Sequence, residues 1–195
     1  MFLERIKIGL LAGAGCLSAA VGVAALSGCG SIASQNVFMG DSITAFWPLP
    51  GANLGYPANT TAQMLARYPN EVLGHGYRTF VLLGGINDIR YGHTIQEAIA
   101  NIATMAERSR NANMVVVLCE LTPDYQDHFK LDPKIRALNA LIEQLVQSEH
   151  YLLVDYYDPM YGHPEYFLDG IHPNPAGYAV MDRALVPVLE GIPEQ

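Results

Sequence analysis

Four short segments of this chain hold side chains of the kinds that do covalent chemistry. Gly40-Asp41-Ser42-Ile43-Thr44 offers a hydroxyl, Asn53-Leu54-Gly55-Tyr56-Pro57-Ala58 an amide in a turn-rich run, Gly84-Gly85-Ile86-Asn87-Asp88 a second amide, and Asp169-Gly170-Ile171-His172 a carboxylate and an imidazole. Singly, each has an ordinary structural reading. A Ser after Asp is often part of a helix cap, Gly-Gly-Ile-Asn-Asp can simply reverse the chain, and a lone His is more often structural than reactive. Together they supply the parts of acyl transfer: a hydroxyl nucleophile, an imidazole base, a carboxylate that orients the base, and N–H donors for an oxyanion. Asp169 and His172 stand three apart, so one loop can present both.

The elements that must position these segments show as β-rich runs alternating with helical periods. Strands are expected at Asn36–Gly40, Ala52–Gly55, Arg78–Leu83, Met114–Leu121 and Tyr151–Asp155. The third and fourth are continuously apolar, as in parallel strands covered on both faces. Thr94-Ile95-Gln96-Glu97 has the spacing of a capping box, followed by one apolar stripe of Ile95, Ile99, Ile102 and Met105. Asp132-Pro133 and Asn174-Pro175 each set a capping side chain before a Pro at the first helical position. A further helix is expected over Thr60 to Leu73. This alternation predicts an α/β fold, a three-layer α/β/α sandwich on a five-stranded parallel sheet, with ligands at the carboxyl ends of the strands. The four reactive segments all fall at or after strand ends.

The order Ser, Asp, His is also that of the α/β-hydrolases, but their nucleophile turn needs Gly two residues after Ser, and Thr44 stands there. The chain instead resembles the SGNH/GDSL hydrolase family over about residues 36 to 190, with the Gly-Asp-Ser, Gly-x-Asn-Asp and Asp-x-x-His blocks in family order. The resemblance implies the flavodoxin-like sandwich of that family. It implies that Ser42 is the nucleophile, His172 the general base and then acid, and Asp169 its orienting partner. It further implies an oxyanion hole made by the backbone N–H of Ser42 and the side-chain amide of Asn87. The family's second block commonly reads Asn, x, Gly, x, x, Gly, and its last Gly gives a third N–H. Here Gly55 is retained and Ala58 holds the last place. Ala lacks the freedom of Gly at positive φ, so the third donor is the open question. Ten residues separate Ser42 from Asn53, and Trp47, Pro48 and Pro50 interrupt them, so the helix after the nucleophile should be short or absent.

Around these blocks the sequence is rich in rings: Tyr125 and Phe129 after the fourth strand, then Tyr156, Tyr157, Tyr161, Tyr166 and Phe167 before the Asp-x-x-His loop. Rings with polar rims suit a sugar face or the alcohol part of an ester, and they equally suit packing of the loops against the domain. Gly55, Trp47, Arg90, Tyr157 and Tyr166 are therefore the candidate substrate contacts; Arg90 could instead form a salt bridge. Asp158, His163, Asp169 and His172 could be read as metal ligands, but the triad accounts for two of them, and no metal or organic cofactor is expected.

The remaining features bear on location. Arg5 and Lys7 precede an uncharged apolar stretch from Ile8 to Leu26, and Leu26-Ser27-Gly28-Cys29 resembles the bacterial lipoprotein box. That predicts a signal peptide over residues 1–28, lipidation of Cys29, a short tether over 29–35 and a hydrolase domain over 36–195. Simple cleavage near Ser31-Ile32-Ala33 or an uncleaved anchor are the alternatives, and each exports the domain. The net charge is −8, with no run of Lys or Arg, so nucleic acid is not an expected partner. Removing residues 1–28, with Arg5, Lys7 and Glu4, leaves a domain one charge more acidic. The resulting expectation is an exported serine esterase acting on short-chain or acetyl esters of carbohydrate or cell-envelope glycans. A lysophospholipase or thioesterase of the same fold, or a catalytically silent envelope-binding module, are the rivals.

Overall fold

A computed structural model describes residues 35–49 and 51–193. The apolar leader, the cleavage region and Cys29 lie outside the described residues. Five strands, β1 (Asn36–Gly40), β2 (Ala52–Gly55), β3 (Thr79–Leu83), β4 (Val115–Cys119) and β5 (Leu152–Val154), form one wholly parallel sheet in the order β2-β1-β3-β4-β5. The expected strands are all present, β3, β4 and β5 being shorter than read. From β1 the chain moves outward to β2 and then returns to the other side of β1 as β3. That reversal leaves a crevice beyond the carboxyl end of β1, where open α/β sheets bind ligands. Gly40, which ends β1, sits in register with Gly55 of β2 and Leu83 of β3.

Alternate residues of each strand face opposite layers. Val37, Met39, Phe80, Leu82, Val116 and Leu118 pack with α2 (Thr61–Glu71), α4 (Ile95–Asn111) and α5 (Asp132–Glu149), through Met64, Tyr68, Ile102, Met105, Ile135 and Leu138. Phe38, Val81, Leu83 and Val117 face the other way, against Ile43 of α1 (Ser42–Ala45) and Met181 and Leu185 of α6 (Pro175–Glu190). The remaining helix, α3 (Ile86–Arg90), is one short turn after β3.

Three of the helices start as their sequences dictate. Thr60 with Gln63 and Thr94 with Glu97 form reciprocal capping boxes, and the Asn174 side chain accepts from the N–H groups of Ala176 and Gly177. The start of α5 departs from expectation. Its cap is Leu131, with no side-chain bond, and Asp132 is already helical. The Asp132 carboxylate accepts from the Tyr157 hydroxyl instead of from a backbone N–H, so a tertiary partner has displaced the local one.

Candidate active site

The turn out of β1 presents Ser42 by close packing. Asp41 caps α1 by accepting from the Ile43 N–H at 2.9 Å. A Cβ on Gly40 would lie 2.0 Å from Thr44 Oγ1, and one on Gly55 would lie 2.2 Å from the Ala45 nitrogen. Only Gly at both strand ends lets the nucleophile helix rest against the sheet. Asn53 fastens that helix from β2: its Nδ2 donates to the carbonyls of Thr44 at 2.8 Å and Trp47 at 3.1 Å, and its Oδ1 accepts from the Gly55 N–H. The helix is four residues long, as the interrupting Trp and Pro residues led one to expect.

His172 Nε2 lies 2.9 Å from Ser42 Oγ, and His172 Nδ1 lies 2.7 Å from Asp169 Oδ2. Asp169 Oδ1 accepts from the N–H groups of Ile171 and His172 at 3.0 and 2.8 Å. Partial burial works to raise the Asp169 pKa, but the bonds from the His172 N–H and ring and from the Ile171 N–H outweigh it and bring it down to about 2. An ionised carboxylate only accepts, so Nδ1 carries a proton, and in the neutral ring Nε2 is then the nitrogen that offers its lone pair to the Ser42 hydroxyl. That is the protonation pattern a general base requires.

Three residues that can offer N–H groups line the space beside Ser42. The Ser42 N–H is the first of α1 and has no partner within the helix. Asn87, mostly buried on α3, donates one amide hydrogen to the Asn59 carbonyl at 3.0 Å, and its second has no acceptor among the described residues. Ala58 adopts φ 65°, the left-handed conformation that Gly takes without cost. The Ala backbone therefore holds the Gly-like geometry despite its Cβ. Neighbouring Asp88 secures the arrangement by accepting from the Thr61 N–H at 2.8 Å and the Thr61 hydroxyl at 2.6 Å. Ser42, Ala58, Asn87 and His172 all line one open cavity of about 350 Å³.

The fold that carries this site is shared with known proteins. Residues 46–180 match the model of the GDSL-like lipase/acylhydrolase family. The chain belongs to that family. The matched span contains Asn87, Asp169 and His172 and begins after Ser42, so the place of Ser42 rests on the distances above. A GDSL-like lipase from Bacteroides thetaiotaomicron is similar at 27% identity and TM-score 0.76, over 82% of this chain and 89% of that one. A member of the lipolytic G-D-S-L family from Veillonella parvula shares the fold at 18% identity and TM-score 0.71, covering 80% and 98% of the two chains. So does an acetylxylan esterase from Geobacillus stearothermophilus, at 18% identity and TM-score 0.69, covering 82% and 95%. No protein of curated function matches the sequence.

Several residues read as substrate contacts have other work in this GDSL-family fold. Trp47 is buried at 4% exposure, stacks on Tyr178 and donates its indole N–H to Asp182 at 2.9 Å; these partners make it part of the core. Tyr157 is also buried and lines a separate cavity with Glu120 and Glu143. Tyr166 stacks on His163, which pairs with Glu165, and Gly55 serves the packing of α1. Tyr125, Phe129, Phe167 and Tyr161 pack on one another in a chain of ring contacts, so most of the expected aromatic wall holds the loops together. Among the described residues, no three His, Cys, Asp or Glu side chains are arranged to hold a metal ion. Arg90 does line the cavity, and it is salt-bridged to buried Asp124 at 2.9 Å.

Sequence reasoning missed Arg67, Phe46 and Tyr91. Arg67 donates to the carbonyls of Gly40 at 3.1 Å and Leu54 at 2.6 Å, tying together the ends of β1 and β2; one Arg on an otherwise ordinary helix gives no signal of this. Phe46 and Tyr91 are exposed at 59% and 57% and line the cavity.

Asp41 gives this site a pH signature. Its side chain is fully buried, and Oδ2 has no hydrogen-bond partner among the described residues. Burial pushes its carboxyl up to about 7, against the pull of the Ile43 N–H and His172. In the unfolded chain the same group ionises near 3.9. Between about pH 4 and 7 the unfolded state releases a proton that the folded state keeps, so stability falls as pH rises, by up to about 4 kcal/mol, and levels off above 7. Asp41→Asn removes that slope. In thermal unfolding at pH 4 and pH 7.5, the wild type should lose several degrees more than the variant; parallel losses would show that Asp41 is ionised in the fold.

Proposed function

We propose that the protein is an exported serine esterase that cleaves acyl esters through an acyl-Ser42 intermediate, with short-chain or acetyl esters of carbohydrate or cell-envelope glycans as its substrates. The observation that carries this reading is the unbroken chain from Asp169 through His172 to Ser42 Oγ, at 2.7 and 2.9 Å, beside Asn87 and Ala58. Ser42 Oγ attacks the ester carbonyl carbon as its proton passes to His172 Nε2. The carbonyl oxygen, now anionic, is held by N–H groups of Ser42, Asn87 and Ala58. Collapse breaks the bond to the alkoxy oxygen, which leaves as the alcohol with the proton from His172. Water then attacks the acyl-Ser42 carbonyl with His172 as base, releasing the acid and restoring the hydroxyl. Asp169 holds the imidazole and stabilises its cationic form throughout.

The short-chain preference is supported by the size of the cavity, at the low end of the range of about 300–1,000 Å³ for small-molecule sites. The acetylxylan esterase of the same fold lends support to a glycan ester. Export is supported by the apolar leader and the lipoprotein-like box. Cys29 and Val37 are eight peptide steps apart, which spans no more than about 29 Å and would hold a lipidated enzyme at the membrane. Mass analysis of the mature N-terminus tests that part separately. An ester panel graded by acyl length, run on the purified domain, tests the chemistry: acetyl and propionyl esters should turn over fastest. A maximum at long acyl chains would move the protein to the lysophospholipase or thioesterase class.

A further inference from the structure

The alcohol half of an ester has a defined place in this cavity. His172 must deliver its proton to the leaving oxygen, so the alcohol lies on the imidazole side of Ser42 and the oxyanion on the side of Asn87 and Ala58. On the imidazole side stands Phe46, its ring centroid 5.8 Å from that of His172. Phe46 is the C-cap of α1, the helix of Ser42, and Tyr91 the C-cap of α3, the helix of Asn87. Both rings stand largely in solvent at the mouth of one cavity. Scattered exposed rings are ordinary, but these two are carried by the same short helices that carry the reacting groups.

The polar wall of the cavity has a matching character. Gln126 donates to the Asp169 carbonyl at 2.9 Å and accepts from Arg90 at 3.0 Å, and Arg90 is paired with buried Asp124. The carboxylate balances the guanidinium, so the wall offers N–H donors without an unmatched positive charge. An anionic alcohol group therefore has little to gain there. An alkyl chain would cover the apolar lining but would strip water from Arg90 and Gln126 and return no hydrogen bond. A pyranose ring fits both halves: its C–H face covers an aromatic ring and its hydroxyl edge meets amide and guanidinium donors.

Resting on the esterase reading, we infer that Phe46, with Arg90 and Gln126, forms an alcohol subsite specific for a pyranosyl group. Phe46 is the platform, because it is the ring beside the general acid.

Two acetate esters with different alcohols test this, since both pass through the same acetyl-Ser42 and differ only in the acylation step. The pair is an acetylated methyl pyranoside and ethyl acetate, with acetate release as the readout. The wild type should show a kcat/KM at least roughly tenfold higher on the pyranoside. Phe46→Ala should collapse that ratio toward one, chiefly through KM on the pyranoside, and Phe46→Trp should restore it. Equal kcat/KM on the two esters in the wild type would overturn the inference. So would an equal loss on both esters in Phe46→Ala, which would make Phe46 a buttress of His172. In either case the esterase reading would survive. No turnover of either ester, with no covalent labelling of Ser42 by a fluorophosphonate, would overturn the esterase reading and this inference with it.

Discussion

Ser42→Ala should lower kcat by roughly four to six orders of magnitude, with the fold intact. Among the described residues, the side-chain oxygen of Ser42 is hydrogen-bonded to His172 alone, so its removal costs the structure little, and stability should move by no more than about 1 kcal/mol. His172→Ala should fall to a similar rate, because without the base the hydroxyl is a poor nucleophile. The double variant should be scarcely worse than either single one, since the two residues act as a unit. Asp169→Asn should cost somewhat less: it removes the acceptor that fixes Nδ1–H and leaves the imidazole free to take the wrong tautomer. Steady-state kinetics on one short ester with all four proteins decides this. Near-normal turnover by Ser42→Ala would end the acyl-enzyme mechanism.

Asn87→Ala should lower kcat by roughly 10²- to 10³-fold, about 2.7 to 4 kcal/mol of transition-state stabilisation, with KM changed far less. The charge that Asn87 meets exists only after Ser42 has attacked, so its amide contributes little to ground-state binding. The same amide donates to the Asn59 carbonyl, and some loss of stability is expected as well. The split between kcat and KM separates the two roles: a pure KM effect would make Asn87 a substrate contact. Ala58→Gly probes the neighbouring donor. Because Ala58 already holds the positive φ that the family position needs, the rate should stay nearly constant; a large gain would show that the Cβ displaces the N–H.

Much of this was legible in the residues alone, for identifiable reasons. Strands buried on both faces advertise themselves as unbroken apolar runs, and capping side chains mark helix starts, so the sheet and the starts of α2, α4 and α6 could be read locally. The reactive residues were legible because each sits in a short segment at a strand end. What escaped depends on partners distant in sequence. Asp132 fails as a cap because Tyr157 takes its carboxylate. Trp47 looked like a substrate ring, but Asp182, 135 residues away, holds its indole in the core. The chain of rings from Tyr125 to Tyr161 has a composition suited to binding and a placement suited to packing. Phe46, which does stand beside the reacting groups, is a single aromatic residue with no periodicity to mark it.

The most direct test of an acyl-Ser42 enzyme is to trap the nucleophile. The purified protein is treated with a fluorophosphonate probe and the modified peptide is located by mass spectrometry. One phosphonyl group should appear on Ser42, be absent from Ser42→Ala, and form far more slowly in His172→Ala, where no base takes the proton. Labelling at another residue, or no labelling of a folded wild-type protein, would contradict the account.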